Sequence, residues 1–308
     1  LVAPAAAVAR APKPVAPPAP QARVTQAPPD TARTEPVIPR GMTPLSEITS
    51  FWYTKAERTG YRLTSGYDET LEFLRRLESA SPWLHLTSYG TSGQGRPLPL
   101  VIVSKDRTFT PEAARATGKA VVLIQCGIHS GEIEGKDACL ALLRDIAVLH
   151  TRDELLENVI LLVLPIFSVD AHERAGPFNR INQNGPENAG WRTTPVGLNL
   201  NRDYLKADAP EMRAMLGNVF TKWWPDLFVD THTTDGADYR HDLTYLYNRG
   251  PGTPAPLTRW LDQAFEDRVL SALTAMGHLP APYLWFRRGD APASGVALGD
   301  SPPRFSTG

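Results

Sequence analysis

Cysteine is scarce: Cys126 and Cys139 are the only two in 308 residues. That number excludes a disulfide framework and gives no reading of redox compartment; by position the two are small core residues, one at a strand end and one on a helix. No apolar run is long enough to cross a bilayer. Neither sign of charge is in excess, since the formal net charge is -1, so nucleic acid and acidic membranes have no electrostatic claim on the chain. A glycine loop between a strand and a helix is also missing, which sets aside a Rossmann-type nucleotide enzyme. The glycine-rich Gly90-Thr-Ser-Gly-Gln-Gly95 is followed by Arg-Pro and a strand, without the helix N-terminus that phosphate binding needs. His172-Glu173 lacks a second His four residues on, so it is no zincin helix.

What is present is the composition of a globular domain, 42% hydrophobic and 21% charged. The first 40 residues stand apart, with 10 Pro and 11 Ala. Such a segment cannot build a packed core, and residues 1–43 read as a disordered linker or export-signal remnant. The chain opens on Leu, and Ala7-Val-Ala9 resembles a signal-peptidase site. A secreted or periplasmic location is therefore expected; a boundary falling arbitrarily inside a low-complexity linker is the alternative. Order is expected from 44 to 308.

Leu71, Phe73, Leu74 and Leu77 recur at helical spacing, predicting a helix over 65–78 capped by Asp68. Strands follow at 84–89 and 98–103, joined by the glycine turn. From residue 120 strand and helix alternate: strand 120–125, helix 131–149, strand 159–164, helix 208–223 capped by Asp208, strand 228–231, helix 258–276. This order implies an α/β fold with a largely parallel sheet and helices on both faces. Residues 167–199 form an unusually long aperiodic connection, a length that is often functional. Its polar stretch Asn179-Arg-Ile-Asn-Gln-Asn-Gly185 and Gly190-Trp-Arg192 suit the lining of a cleft.

Two short segments look like halves of one metal site. His129-Ser-Gly-Glu132 closes the apolar strand 120–125, and Asp230-Thr-His-Thr233 closes the strand before it. Taken alone, a His and a Glu three apart are a surface turn with Glu132 favouring a helix N-terminus, and His232 alone is a core histidine. Together, at the carboxyl ends of two strands, they supply three ligands and leave a fourth position to water, the arrangement of a catalytic zinc. His85, His150, His241 and His278 stand alone and read as surface or supporting residues. Asn199-Leu-Asn-Arg-Asp203 is a compact polar block whose guanidinium can grip a carboxylate; its alternative is a loop salt bridge with Asp203 or Asp208. Arg192 is either structural or a cation facing a developing oxyanion.

As an ordered set these motifs resemble the zinc carboxypeptidase family of the carboxypeptidase A type (peptidase family M14). The set comprises Gly90-Thr-Ser-Gly-Gln-Gly-Arg-Pro-Leu98, Gly127-Ile-His-Ser-Gly-Glu132, Gly197-Leu-Asn-Leu-Asn-Arg202, Ala209-Pro-Glu211 and Asp230-Thr-His-Thr233, across roughly residues 65 to 235. The resemblance implies a mixed, largely parallel eight-stranded sheet and one Zn2+ held by His129, Glu132 and His232. It implies that Arg192 polarises a scissile peptide carbonyl and that Asn201 and Arg202 bind a peptide's terminal carboxylate. Asn199 stands where the family has an Asp bonded to the first zinc His; an amide brings no charge, so His129 should be the weaker donor. The family also needs a late Glu as acid and base and a loop Tyr before it. After His232 the only Glu is Glu266, in a helical sequence with a solvated face, and the expectation is that both groups lie beyond residue 308. The implied function is a zinc metallocarboxypeptidase acting on peptide ends. The alternatives are an amidohydrolase or deacylase of the same architecture, including a cell-wall peptide amidase, and a noncatalytic zinc-containing peptide-binding module.

Overall fold

A computed structural model describes residues 44–233, 240–247, 252–286 and 296–298; the expected linker at 1–43 lies outside them. The main sheet has five strands in the order β1 (Leu84–Thr91), β2 (Pro97–Val103), β4 (Val159–Leu164), β3 (Ala120–Gln125) and β5 (Leu227–Asp230). β1 pairs with β2 and β2 with β4 antiparallel, whereas β3 pairs with both β4 and β5 in parallel. The sheet is thus mixed rather than largely parallel. The reason is connection length: the turn from β1 to β2 is too short for the crossover that a parallel pair needs. Among the described residues eight strands do not join one sheet. Four more strands pair off separately, Leu243–Tyr245 with Pro280–Pro282 and Leu284–Phe286 with Val296–Leu298.

Strand alternation explains the layers. Leu98, Leu100 and Ile102 of β2 share one core with Ile160 and Leu162 of β4, while Val101, Val103, Leu161 and Val163 belong to another. The first core is closed by helix 210–223, whose stripe of Met212, Met215, Val219 and Trp223 is buried. The second is closed by α1 (Tyr67–Ala80), through Phe73, Leu74 and Leu77, and by α2 (Glu134–Arg144), through Leu140 and Leu143. A helix covers residues 255–275 after β5. No helix among the described residues is long and apolar enough to cross a membrane.

Three helix starts differ from expectation. α1 is capped by Gly66, whose amide donates to Glu69 Oε2 at 2.9 Å, and Asp68 sits in the first turn. Helix 210–223 is capped from a distance: the Asp203 carboxylate accepts the amides of Asp208 and Ala209 at 2.9 and 2.8 Å, because Ala207, at φ 50, folds the chain back over it. α2 begins at Glu134, two residues after Glu132, so Glu132 lies in the turn that precedes the helix.

The glycine turn between β1 and β2 is bound to carboxylates of its own chain. Gly93 N donates to Glu211 Oε1 at 3.0 Å and Gln94 N to Asp170 Oδ2 at 2.8 Å, with Ser92 Oγ and Arg96 Nη1 on Asp170 Oδ1. Amides committed in this way leave no phosphate cradle.

Candidate metal centre

β3 and β5 are neighbours in register, Gln125 opposite Asp230, so the segments leaving their carboxyl ends start side by side. Gly127, at φ 67, turns the chain out of β3 into Ile128-His129-Ser130-Gly131-Glu132. This turn is pinned by Ser130 Oγ on Ser168 O at 2.8 Å and by Ser130 N on Trp191 O at 3.2 Å. His129 and Glu132 are each 2% exposed. His232 enters from the other side, half-buried, with its ring centroid 5.1 Å from that of His129.

Both imidazoles present Nδ1 to one carboxylate. His129 Nδ1 lies 3.0 Å from Glu132 Oε1 and His232 Nδ1 lies 2.8 Å from Glu132 Oε2. Behind them, His129 Nε2 donates to Asn199 Oδ1 at 3.1 Å and His232 Nε2 to Asp230 Oδ2 at 3.0 Å. The Asn199 oxygen also accepts the Asn201 amide at 3.1 Å, which makes it an acceptor. With Nε2 carrying the proton, a neutral ring has a bare Nδ1 lone pair aimed at an acceptor-only carboxylate. Two such pairs require a cation among the three groups, either a proton or a metal ion. One potential ligand atom from each of His129, Glu132 and His232 lies within 4.8 Å of the others. Nitrogen and oxygen donors, backed by side-chain oxygens on the far nitrogens, are a donor set that fits zinc.

Electrostatics follow the same logic. Burial opposes charge on His232, but Asp230 and then Glu132 outweigh it and push its pKa up to about 10. Burial also works against the Glu132 carboxylate, and hydrogen bonds from His129 and His232 override it, holding the group far below the usual carboxylate range.

Arg192 reaches the same carboxylate, with Nη1 3.6 Å from Glu132 Oε1, and its side chain is 38% exposed. Asn199 sits behind His129. Asn201 is buried, whereas Arg202 is exposed and donates from Nη1 to Asn201 O at 2.9 Å. Glu266 is exposed on the helix after β5 and accepts from the Tyr247 hydroxyl at 3.0 Å. His172 is buried outside this centre, accepting from Lys136 Nζ at 2.9 Å.

Three participants carry contacts that sequence reasoning did not assign to them. Arg180 donates from Nη2 to Glu132 Oε1 at 2.8 Å, and its stem crosses the ligand turn so closely that a Cβ on Gly131 would lie 2.6 Å from Arg180 Cγ. Asp230 backs His232; its signal was strand period, since residues two apart share a face. Gln125, fully buried, donates from Nε2 to Asp230 Oδ1 at 3.0 Å and to the Tyr204 hydroxyl at 2.9 Å, fixing Asp230 in turn.

The sequence profile of the zinc carboxypeptidases matches residues 70–242, more than half of the chain and all three candidate ligands. The chain belongs to the zinc carboxypeptidase family (M14). It is 28% identical over 169 residues to carboxypeptidase 2 of Trichophyton equinum, an alignment covering 54% of this chain and 28% of that protein. The chain spans about a third or less of the length of the curated relatives it matches. Among solved structures it is similar to a metallo-carboxypeptidase from Burkholderia cenocepacia, at TM-score 0.53 and 18% identity, covering 71% of this chain and 53% of that one. It is also similar to bovine thrombin-activatable fibrinolysis inhibitor solved with a tick carboxypeptidase inhibitor, at TM-score 0.52 and 14% identity, covering 72% and 77%. At these identities the structural likeness establishes the α/β fold alone.

Proposed function

We propose that the chain carries the metal centre of a zinc-dependent metallocarboxypeptidase that hydrolyses peptide bonds at the C-terminal end of peptides. The supporting observation is the convergence of two imidazole Nδ1 atoms on the buried Glu132 carboxylate. In this reading residues 44–308 form the catalytic domain, residues 1–43 tether it, and the protein works in an exported compartment. His129, Glu132 and His232 hold one zinc ion, which when bound supplies a Lewis acid and a water of lowered pKa. Asn199 and Asp230 fix the two rings by accepting hydrogen bonds from their Nε2–H groups. Arg192, the partly exposed cation beside the ligands, faces the scissile carbonyl oxygen and stabilises negative charge there. Arg202 takes the terminal carboxylate in its planar fork. Asn201, being buried, serves that grip by supporting Arg202 through its backbone carbonyl.

A noncatalytic zinc-containing peptide-binding module is the second reading. In neither reading does Glu266 serve the centre, since it is exposed and accepts from the Tyr247 hydroxyl at 3.0 Å.

Elemental analysis of the purified chain beside His129→Ala and His232→Ala tests the centre. About one zinc per chain, lost in both variants, is expected; a folded wild type that takes up no zinc sinks both readings. Hydrolysis of peptides with free but not amidated C-termini separates the enzyme from the binding module.

A further inference from the structure

The two cysteines that the metal centre does not use lie on either side of its His129–Glu132 turn in the chain. Cys126 follows the last residue of β3, and Cys139 lies on the second turn of α2. Their Sγ atoms are 3.6 Å apart, in contact. Both are buried, Cys126 completely and Cys139 to 6% exposure, so neither can meet a thiol of another molecule in the folded state. Within these 308 residues neither has another cysteine with which to pair.

The backbones that carry them are held independently of the sulfurs. Cys126 N donates to Leu164 O and Cys126 O accepts from Phe167 N, both at 2.9 Å, which locks the residue to the end of β4. α2 is seated so tightly at its first turn that a Cβ on Gly135 would lie 2.0 Å from Thr231 Oγ1. The approach of the two sulfurs is therefore a product of the fold. A covalent bond requires them to close by roughly 1.5 Å, to about 2.05 Å, a movement on the scale of side-chain rotation with small backbone adjustment.

We propose that Cys126 and Cys139 form an intramolecular disulfide. It would close a ring spanning residues 126–139, inside which lie both His129 and Glu132. The oxidant is a small-molecule or protein disulfide, of which glutathione disulfide is the test case. One cysteine thiolate attacks it, forming a mixed disulfide and releasing one glutathione thiolate. The second cysteine thiolate attacks the protein-bound sulfur of that bond, forming Cys126–Cys139 and releasing the other. Two protons leave the cysteines and two electrons reduce the oxidant to two thiols. Burial places this exchange during folding, before α2 covers the end of β3. Once formed, the bond is shielded from reductant by the same packing. Its consequence is mechanical: the turn bearing two metal ligands would be tied at both ends before any metal arrives.

The test is to refold the chain with mixed reduced and oxidised glutathione, unfold it without reductant, alkylate with iodoacetamide and weigh it. The expected product carries no alkyl group, is lighter than the reduced chain by about 2 Da, the two hydrogens lost in the exchange, and yields a cross-linked peptide containing residues 126 and 139. Its melting temperature should fall on reduction with dithiothreitol, a fall that Cys139→Ser lacks. A folded chain with both cysteines alkylated, or with glutathione on either and no cross-link, overturns the proposal. So does a Cys139→Ser chain that still loses the two hydrogens. The wild-type mass decides alone if the variant does not fold. Because the readout involves no metal, its failure leaves the zinc reading untouched.

Discussion

Asn199 holds His129 through an amide oxygen 3.1 Å from Nε2, whereas Asp230 holds His232 through a carboxylate oxygen at 3.0 Å. Equal geometry with unequal charge makes the two imidazoles unequal donors. Asn199→Asp gives His129 an ionised acceptor, and partners of this kind change metal affinity by about 10–100-fold. The expected result is zinc binding tighter by about 10-fold in a chelator competition, with Asn199→Ala weaker than wild type. Equal affinity for all three would mean that Nε2 support is irrelevant at His129.

Arg180 joins the imidazoles in compensating Glu132. Arg180→Met leaves a buried carboxylate short of a partner, a loss that costs about 3–5 kcal/mol for a broken buried pair. A zinc ion supplies a replacement cation at the same group. Urea unfolding should therefore show a large stability loss without zinc and a markedly smaller one with saturating zinc. A loss of the same size under both conditions would count against Arg180 acting on Glu132.

Gly135 has no room for a methyl group. An added Cβ would sit 2.0 Å from Thr231 Oγ1 and 2.4 Å from Thr231 Cβ. Forcing atoms into packed space typically costs about 1–3 kcal/mol. Gly135→Ala should lower stability by at least that much. Thr231→Gly in the same chain should recover part of the loss, because it removes the atoms met. Thermal melts of the single and double variants give the answer.

His172 contributes an acid-sensitive part of the stability. It is buried, its Nε2 accepts from Lys136 and its Nδ1 donates to Glu173 at 3.1 Å. Burial first, then the Lys136 charge, push its pKa down to about 4 from 6.5. The folded state therefore refuses a proton that the unfolded chain accepts between those values. The contribution of His172 to stability falls as pH drops from 6.5 toward 4, by roughly 3 kcal/mol over the window. His172→Gln should flatten the slope of unfolding free energy against pH in that range, without altering it above pH 7.

The sequence reveals most where apolar runs are unbroken. β3 and β4 are legible to the residue, because five apolar or small residues in a row in β3 and six in β4, between turn signals, leave little freedom in their ends. The convergence of His129, Glu132 and His232 was equally legible, since chemistry-bearing residues directly follow two such strands. Helix starts were not. Asp203 reaches across a reversed loop to cap helix 210–223, an arrangement set by Ala207 at positive φ that local spacing at Asp208 does not encode. Arg180 was hidden for a similar reason. It lies in the aperiodic 167–199 connection, and only the folded course of that segment, bridged between Gly176 and Ala189, carries it to Glu132. The mixed character of the sheet depends on which strands become neighbours, and strand–helix alternation does not state that.

The pairing of β3 with β5 places Gln125 opposite Asp230. That single alignment acts as the ruler for the whole centre. Every residue of β5 alternates between the two sides of the sheet, so a shift of one position would turn Asp230 away from Gln125 and carry His232 off the Glu132 carboxylate. An insertion or deletion of one residue between Leu227 and Val229 would thus abolish metal capture with every candidate ligand still in the sequence. The instructions for the metal lie as much in the backbone ladder beneath it as in the three side chains that would touch it.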